Sequence, residues 1–252
     1  MGKTILITGA TSGIGTACTE IFANSKNRLI LTGRRKDRLE KIKKDLEAKD
    51  IPCKTLCFDI QNKEEVFSAI DQLPDNWKEI DILVNNAGLS LGLDPIQNGD
   101  ISDWETMIDT NVKGLLYISR KISPLMIERK QGHIINIGSI AGKEVYPNGN
   151  VYCATKHAVD AITKALRADL LPYGIRVTQI APGAVETEFS IVRFHGDKNR
   201  ADQVYNGFTP LTGKDIATTV KFVADLPNHV NVNDMVVMPV AQASSQLFNK
   251  NS

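Results

Sequence analysis

The sequence has few of the features that mark secreted, metal-binding or membrane proteins. Its four cysteines form no C-x-x-C pair and have no histidine at zinc-ligand spacing, which argues against both a metal site and a disulfide framework. No apolar run approaches the roughly 18 residues that a membrane span needs. The N-terminal MGKTILITG lacks the long apolar region of a signal peptide. We therefore expect a cytoplasmic protein without a metal or a membrane partner.

The chain also lacks an excess of charge of either sign. Its 30 basic and 29 acidic residues give a net charge of +1, so no overall field attracts nucleic acid. Hydrophobic residues make up 42% of the 252 residues, which is an ordinary globular value. No Pro/Gly/Ser-rich linker or internal repeat marks a boundary. We expect one domain over residues 1–252 and a small-molecule partner.

What the sequence does contain is an alternation of short apolar runs with helical-length segments. Such runs are typical of strands buried on both faces of a parallel sheet. The runs are KTILIT, NRLILT, CKTLCF, DILVNN, HIINIG, IRVTQI and MVVMP. The pattern predicts an α/β protein of Rossmann type: a doubly wound, seven-stranded, mainly parallel sheet with helices on both faces. The predicted helices cover residues 15–24, 36–49, 63–73, 102–130 and 151–171.

Residues 183–213 break this regularity. GAVETEFSIVRFHGDKNRADQVYNGFT has weak periodicity and mixed polarity. A long irregular segment in a compact domain is usually a binding loop or lid, or else disordered. We predict a substrate loop or lid over residues 183–213.

A glycine-rich turn, TGATSGIG, follows the first predicted strand and opens a helix. At that place glycines let backbone N–H groups approach a pyrophosphate, whose charge is favoured by the helix N-terminus. Many such turns carry glycine for packing alone, and the spacing Gly9, Gly13, Gly15 differs from the common G-x-G-x-x-G. The position at the first strand-to-helix turn nevertheless favours a dinucleotide site.

The second strand ends in LTGRR, where an NAD site would place a carboxylate on the ribose hydroxyls. Arg34 and Arg35 stand there instead, and guanidinium groups suit a 2′-phosphate. NADP is therefore favoured over NAD. The alternative is that both arginines begin the solvated face of the basic helix RRKDRLEKIKK.

Tyr152 and Lys156 are four residues apart in a predicted helix, so their side chains lie on one face. An ordinary surface pair is the simplest explanation of this spacing. Catalysis becomes the better explanation if a cofactor site and a hydrogen-bond donor accompany the pair.

Five features in this order resemble the short-chain dehydrogenase/reductase family: TGATSGIG, NNAG at residues 85–88, Asn111 in DTNVKG, Ser139, and Tyr152 with Lys156. The runs NVYCATK, APGAVETEFSIVRFHGD and VVMPVAQA further resemble the NADP-dependent 3-hydroxy acid dehydrogenases, also called serine or L-allo-threonine dehydrogenases. The resemblance implies an oxidoreductase acting on CH–OH groups. It also implies a homotetramer.

The resemblance implies that residues 9–14 bind the diphosphate and that Arg34 with Arg35 clamps the 2′-phosphate. It places Asp59 and Ile60 beside adenine, with Asp59 reaching its amino group, residues 86–88 on the ribose side, and residues 182–187 over the nicotinamide. Without the resemblance, Asp59 and NNAG are explained as a helix cap and a strand-end turn. The implied cofactor residues are Gly9, Ala10, Thr11, Ser12, Gly13, Ile14, Gly15, Arg34, Arg35, Asp59, Ile60, Asn86, Ala87, Gly88, Tyr152, Lys156, Pro182, Gly183, Val185 and Thr187.

The implied catalytic residues are Ser139, Tyr152, Lys156 and Asn111. Tyr152 would be the acid or base, and lowering a phenol pKa from about 10 to about 7 requires roughly 4 kcal/mol. A unit positive charge about 4 Å away supplies roughly that much at an effective dielectric constant of about 20, so Lys156 is the expected cation. Taken singly, Ser139 is equally well explained as a turn residue and Asn111 as a polar helix residue.

Arg193, in the predicted loop, is a candidate partner for a substrate carboxylate, with a surface salt bridge as the alternative. Ser139 and Tyr152 would hold the reacting oxygen. The resemblance implies substrates such as L-serine, L-allo-threonine or 3-hydroxyisobutyrate. The rivals are a broad NADPH-dependent carbonyl reductase and, more remotely, a dinucleotide-sensing protein without turnover.

Overall fold

A single parallel sheet organises the chain, for which the computed structural model describes residues 2–24 and 26–250. Its seven strands stand in the order β3-β2-β1-β4-β5-β6-β9, and every pairing is parallel. The strands are β1 Thr4–Ile7, β2 Arg28–Gly33, β3 Cys53–Cys57, β4 Ile82–Asn85, β5 His133–Ile137, β6 Arg176–Pro182 and β9 Asp234–Val237. The seven predicted strands and the doubly wound fold are confirmed.

The helices cover both faces of this sheet. They are α1 Gly13–Phe22, α2 Lys36–Glu47, α3 Lys63–Asp71, α4 Ile101–Ile108, α5 Leu115–Arg129, α6 Asn150–Leu170 and α9 Gly213–Asp225. Because successive strand residues point to opposite faces, Ile5 and Ile7 pack with α1, α2 and α9, whereas Leu6 packs with α3, α5 and α6. The continuous apolar runs in the sequence are explained by these two cores.

The predicted helix over residues 102–130 has an interruption that periodicity does not show. Between α4 and α5 the residues Asp109–Gly114 form a π-helical turn. Such turns insert an extra residue and occur often at functional sites. Asn111 lies in this turn.

Residues 183–213 form short elements, whereas the sequence predicted an irregular segment. They are β7 Val185–Glu186, α7 Phe189–Arg193, α8 Lys198–Gln203 and β8 Leu211–Thr212, and β7 pairs with β8 in parallel. The helix α9, which the sequence analysis did not identify, follows directly. Thr212 and Asp215 begin it with a reciprocal capping box.

Four of the parallel strands end near one another at the carboxyl edge of the sheet. The ends of β1, β4, β5 and β6 lead into Thr8, Asn86, Gly138 and Gly183. In open α/β sheets, ligands bind at this edge. Across the described ranges no helix is long and apolar enough to cross a membrane.

His133 makes the stability of the fold depend on pH. It is 1% exposed, its Nε2 lies 2.8 Å from Thr178 Oγ1, and burial lowers its pKa from 6.5 to about 3, with Arg176 and Lys3 acting in the same direction. The neutral ring is therefore favoured in the native state. The stability that this neutral ring contributes to the fold is complete above pH 6.5 and is lost as the pH falls toward 3.

We expect the free energy of unfolding to fall by up to about 1.4 kcal/mol per pH unit below pH 6 on account of this group. Urea titrations between pH 7.5 and 4.5 measure the slope. His133→Gln should flatten it, whereas His229→Gln, at an exposed histidine, should leave it unchanged. Parallel slopes in all three proteins would contradict this assignment.

Candidate active site

A cavity of about 430 Å³ opens at the carboxyl edge of the sheet, between the glycine-rich turn, α6 and residues 183–213. Most of the site residues predicted from the sequence line it. These are Gly9, Ser12, Gly13, Ile14, Asn86, Ala87, Gly88, Ser139, Tyr152, Lys156, Pro182, Gly183, Val185, Thr187 and Arg193. Three of the four predicted catalytic residues therefore share one cavity with Arg193 and with part of the predicted cofactor residues.

The other implied residues lie around this cavity and do not line it. They are Ala10, Thr11, Gly15, Arg34, Arg35, Asp59, Ile60 and Asn111. Ala10 and Ile60 are buried core residues. Ile60 packs closely against Gly114, since a Cβ at Gly114 would lie 3.0 Å from the Ile60 side chain. These two residues support neighbouring segments.

Two glycines shape the glycine-rich turn. Gly9 has φ 66°, in the left-handed region that glycine adopts without strain. A Cβ at Gly15 would lie 2.1 Å from the Gly9 carbonyl oxygen, so only glycine allows the first turn of α1 to approach so closely. Thr8 joins this turn to the turn after β4, because its Oγ1 accepts hydrogen bonds from the backbone N–H groups of Asn86 at 3.0 Å and Ala87 at 2.9 Å.

The first turn of α1 presents the donors that a phosphate needs. The initial N–H groups of any helix have no intrahelical partner, and the N-cap residue Ser12 makes no side-chain capping bond in the described chain. A diphosphate at this helix N-terminus would satisfy the free donors. The turn thus fits the pyrophosphate of a dinucleotide.

Arg34 and Arg35 point in different directions from the end of β2. Arg34 pairs with Asp59 at 3.3 Å. Arg35 donates to Thr11 Oγ1 at 3.1 Å, to the Thr11 carbonyl at 3.0 Å and to Glu188 at 2.8 Å. Asp59 was predicted to reach adenine, and its carboxylate here pairs with Arg34. Each guanidinium retains spare N–H donors, so either one can still bind a phosphate group.

Tyr152 and Lys156 project from α6 into the cavity. Lys156 Nζ lies 6.0 Å from the centre of the Tyr152 ring and donates to the Ile137 carbonyl at 3.0 Å. Both side chains are at least nine-tenths buried. Burial lowers the pKa of Lys156 to about 8.

The electrostatics of Tyr152 differ from the sequence prediction. Burial raises its pKa well above 10, Tyr146 adds to the rise, and Arg193 and the Ser139 hydroxyl oppose it. From the sequence, Lys156 was expected to lower the pKa of Tyr152. Its ammonium is instead directed to the Ile137 carbonyl, and the guanidinium carbon of Arg193 lies closer, 5.1 Å from the ring centre.

Ser139 has a structural role and a position in the cavity. It precedes the short helical turn Ile140–Gly142, and its Oγ accepts a hydrogen bond from the Ala141 N–H at 3.1 Å. This bond uses an oxygen lone pair and leaves the hydroxyl hydrogen available. The turn therefore aims a donor into the cavity beside Tyr152.

Asn111 holds the segment behind Lys156. Its amide accepts from the Leu89 N–H at 2.9 Å and donates to the Leu89 carbonyl at 2.8 Å and to Thr155 Oγ1 at 3.0 Å. A Cβ at Gly88 would lie 3.1 Å from Asn111 Oδ1 and 3.7 Å from Lys156 Nζ. Asn111 Oδ1 and the Lys156 ammonium therefore both lie against Gly88, and one lone pair is left on the amide oxygen.

Arg193 is held inside the cavity by residues that the sequence analysis missed. Its Nε donates to Ser90 Oγ at 3.0 Å and its Nη2 to Tyr146 Oη at 2.7 Å. Phe189, one turn earlier in α7, stacks edge-on with Tyr152 at 5.7 Å. Within residues 2–24 and 26–250 Arg193 forms no ion pair with a carboxylate, so the surface salt-bridge alternative does not describe it.

The C-terminal tail is the other part of the cavity that was missed. Gln242, Ser245, Phe248 and Lys250 line it, and Gln242 Oε1 accepts from the Ala184 N–H at 2.8 Å. The sequence offers only the apolar pair Leu247 and Phe248, followed by polar residues, as a signal that the tail packs on the fold. In the described part of the chain no three His, Cys, Asp or Glu side chains form a group that could hold a metal ion.

Comparison with known proteins agrees with this geometry. The family model for short chain dehydrogenases matches residues 3–197. The chain belongs to the short-chain dehydrogenase family. The family resemblance of the sequence is therefore confirmed.

Several relatives match this family member over nearly its whole length. An NADP-dependent 3-hydroxy acid dehydrogenase of Salmonella typhi is 47% identical over 96% of this chain and 97% of its own. Sulfoacetaldehyde reductase 2 of Chromohalobacter salexigens is 45% identical over 97% of each chain. A closed serine dehydrogenase structure complexed with NADP+ superimposes with a TM-score of 0.92 at 45% identity, covering 99% of this chain and 100% of that one.

Replacing Asn111 tests how much the site depends on its amide. Asn111→Leu leaves the Leu89 N–H and carbonyl unpaired in a buried place, so we expect the free energy of unfolding to fall by about 2 to 4 kcal/mol. Urea denaturation measures it. Asn98→Leu, at an exposed asparagine, is the matched control, and an equal effect of both changes would show that the amide contacts contribute little.

Proposed function

We propose that this short-chain dehydrogenase is an NADP-dependent oxidoreductase that transfers a hydride between NADP(H) and the 3-hydroxyl or 3-oxo group of small hydroxy acids. L-Serine, L-allo-threonine and 3-hydroxyisobutyrate are the proposed examples. The observation that carries the proposal is Arg193, whose guanidinium is held by Ser90 and Tyr146 in the same cavity as the Tyr152 hydroxyl.

The choice of NADP is supported by the chain's own residues and by the names of its relatives. A helix N-terminus with free donors suits the diphosphate, and Arg34 and Arg35 stand where an NAD site would have a carboxylate. Two of the similar proteins bind or depend on NADP, as their names state. When bound, NADP(H) supplies or accepts the hydride.

In carbonyl reduction Tyr152 donates the proton. Because burial raises the pKa of its hydroxyl, Tyr152 is fully protonated at neutral pH and ready to act as the general acid. Ser139 donates its hydroxyl hydrogen to the same substrate oxygen. The substrate carbon gains the hydride and its oxygen gains the proton, so the product is the alcohol.

Lys156 supplies the proton that replaces the one Tyr152 gives up, and Asn111 holds the water through which a proton returns to Lys156. The pKa of Lys156, lowered to about 8, makes its ammonium a better proton source than an exposed lysine. Asn111 Oδ1 and Lys156 Nζ both lie against Gly88, and the free lone pair of Oδ1 can hold a water between Lys156 and solvent. In alcohol oxidation Tyr152 first passes its own proton toward Lys156 and solvent, and the resulting phenolate then accepts the proton of the substrate hydroxyl.

Arg193 gives the cavity its preference for acids. A guanidinium has five donors, and its hydrogen bonds to Ser90 and Tyr146 use two of them. The remaining donors can form a paired contact with a carboxylate. The relatives are named for hydroxy acids and for sulfoacetaldehyde, which also carries an anionic group.

We further propose one domain over the chain, residues 183–213 as its substrate lid, a homotetrameric assembly and a cytoplasmic location. The exposed side chains of Ile101 and Ile108 on α4 and Leu116 on α5 support an interface through these helices. The four free thiols support a reducing compartment.

The first test removes the proton donor. Tyr152→Phe should lower kcat by at least about 100-fold, because the ring remains but the general acid is lost. NADPH binding, measured by fluorescence titration, should stay within about twofold. Tyr173→Phe, at a partly exposed tyrosine, is the control. Retained turnover in a folded Tyr152→Phe protein would reject the role of Tyr152.

The second test asks whether the substrate is an acid. Arg193→Ala should raise KM for 3-hydroxy acids by about 10- to 100-fold, the worth of hydrogen bonds to a charged group. KM for neutral ketones should change by less than about twofold. Arg200→Ala removes an exposed cation from the same segment as a control. Equal losses for acids and ketones would favour a broad carbonyl reductase.

A further inference from the structure

Glu188 links the two halves of the candidate site. It stands immediately before α7, and its carboxylate receives two arginines of the other half. Arg35 Nη1 donates to Oε2 at 2.8 Å, and Arg38 Nη1 donates to Oε1 at 2.7 Å. These arginines keep the carboxylate charged, because their hydrogen bonds lower its pKa.

The arginines are themselves anchored on the glycine-rich turn. Arg35 Nη2 and Arg38 Nη1 both donate to the Thr11 carbonyl, at 3.0 Å and 3.2 Å. The residue before Glu188 adds a packing contact, since a Cβ at Gly13 would lie 3.1 Å from the Thr187 side chain. The start of α7 is therefore fixed against the proposed phosphate site.

The other end of α7 reaches the substrate side of the cavity. The helix is five residues long, so a shift at its first turn moves its last residue as well. Phe189 contacts the Tyr152 ring, and the guanidinium carbon of Arg193 lies 5.1 Å from the centre of that ring. Through this short helix Glu188 is connected to Phe189 and Arg193, the two side chains that contact Tyr152.

We propose that Glu188 is a positioning residue, which holds α7 and with it Arg193 over Tyr152 through its ion pairs with Arg35 and Arg38. The proposal rests on the proposed function, because it concerns the affinity of the same site for an acid substrate. Glu188 acts through Arg193 and touches neither the reacting carbon nor its oxygen. Its side chain determines how well a carboxylate is bound.

The expected loss of acid affinity on replacing Glu188 follows from the exposure of the three ion-paired side chains. The side chains of Arg35, Arg38 and Glu188 are 40% to 48% exposed, and ion pairs of this kind are weak singly but stronger in a network. Glu188→Gln should therefore raise KM for 3-hydroxyisobutyrate by about three- to fivefold. KM for a neutral ketone should change by less than about 1.5-fold.

Binding of NADPH separates positioning from general damage. Removing a carboxylate from beside two guanidinium groups does not weaken their attraction for an anion, so the dissociation constant for NADPH in Glu188→Gln should stay level or fall. A merely structural role would weaken both ligands together. A parallel rise in the dissociation constant and in the acid KM would overturn the proposal.

A double-mutant cycle tests whether Glu188 and Arg38 affect acid binding through the same contact. Arg38→Gln removes one partner from the other side, and the double variant with Glu188→Gln should be no worse than the worse single variant in acid KM, because both changes break the same contact. Glu186→Gln, the same change at an exposed neighbour in β7, is the control and should have the wild-type KM. Additive losses would contradict a shared route.

Hydrogen exchange provides a readout without turnover. In Glu188→Gln, amides in a peptide covering residues 189–194 should exchange at least about threefold faster than in wild type and in Glu186→Gln. If wild type turns over no acid, the proposed function fails, and this exchange result still decides the role of Glu188. Unchanged exchange in a folded Glu188→Gln protein would overturn the proposal.

Discussion

The common register of the parallel strands is the constraint on which the site depends. Ile7 lies opposite Val84, Asn85 opposite Asn136, and Ile137 opposite Ile180, so these strands end at one level of the sheet. The turn after each strand then emerges beside the next. Thr8, which bonds the backbone of the turn after β4, joins two of these turns directly.

Burial controls the charges in the cavity. It raises the pKa of Tyr152 and lowers that of Lys156, since a low-dielectric site disfavours the charged form of either group. Both side chains are therefore biased toward neutrality. The Tyr152 hydroxyl is therefore protonated at neutral pH, and the Lys156 ammonium loses its proton more readily than that of an exposed lysine.

The segment 183–213 lies beside both the proposed cofactor site and the proposed substrate site. It begins beside the glycine-rich turn, carries Glu188, Phe189 and Arg193 past Tyr152, and returns through β8 to α9. The ion pairs at its start and the aromatic and cation contacts along α7 lie within a few residues of one another. A short stretch of chain thereby touches both the proposed cofactor site and the proposed acid site.

The sequence by itself determined the seven strands, the burial of the five inner strands on both faces, and the family, whereas the edge strands β3 and β9 are only partly buried. These follow from local patterns: continuous apolar runs, glycines after the first strand, and a tyrosine four residues before a lysine.

The tertiary structure decided which way each polar side chain points. Lys156 turns to the Ile137 carbonyl, Arg34 to Asp59, and Arg193 to Ser90 and Tyr146. The contributions of Tyr146, Glu188 and the tail, distant in sequence or in weakly patterned segments, depend on contacts that form only when the strands have been aligned. Periodicity reports which face of an element is buried, but the partner of a charged group is chosen by geometry between elements.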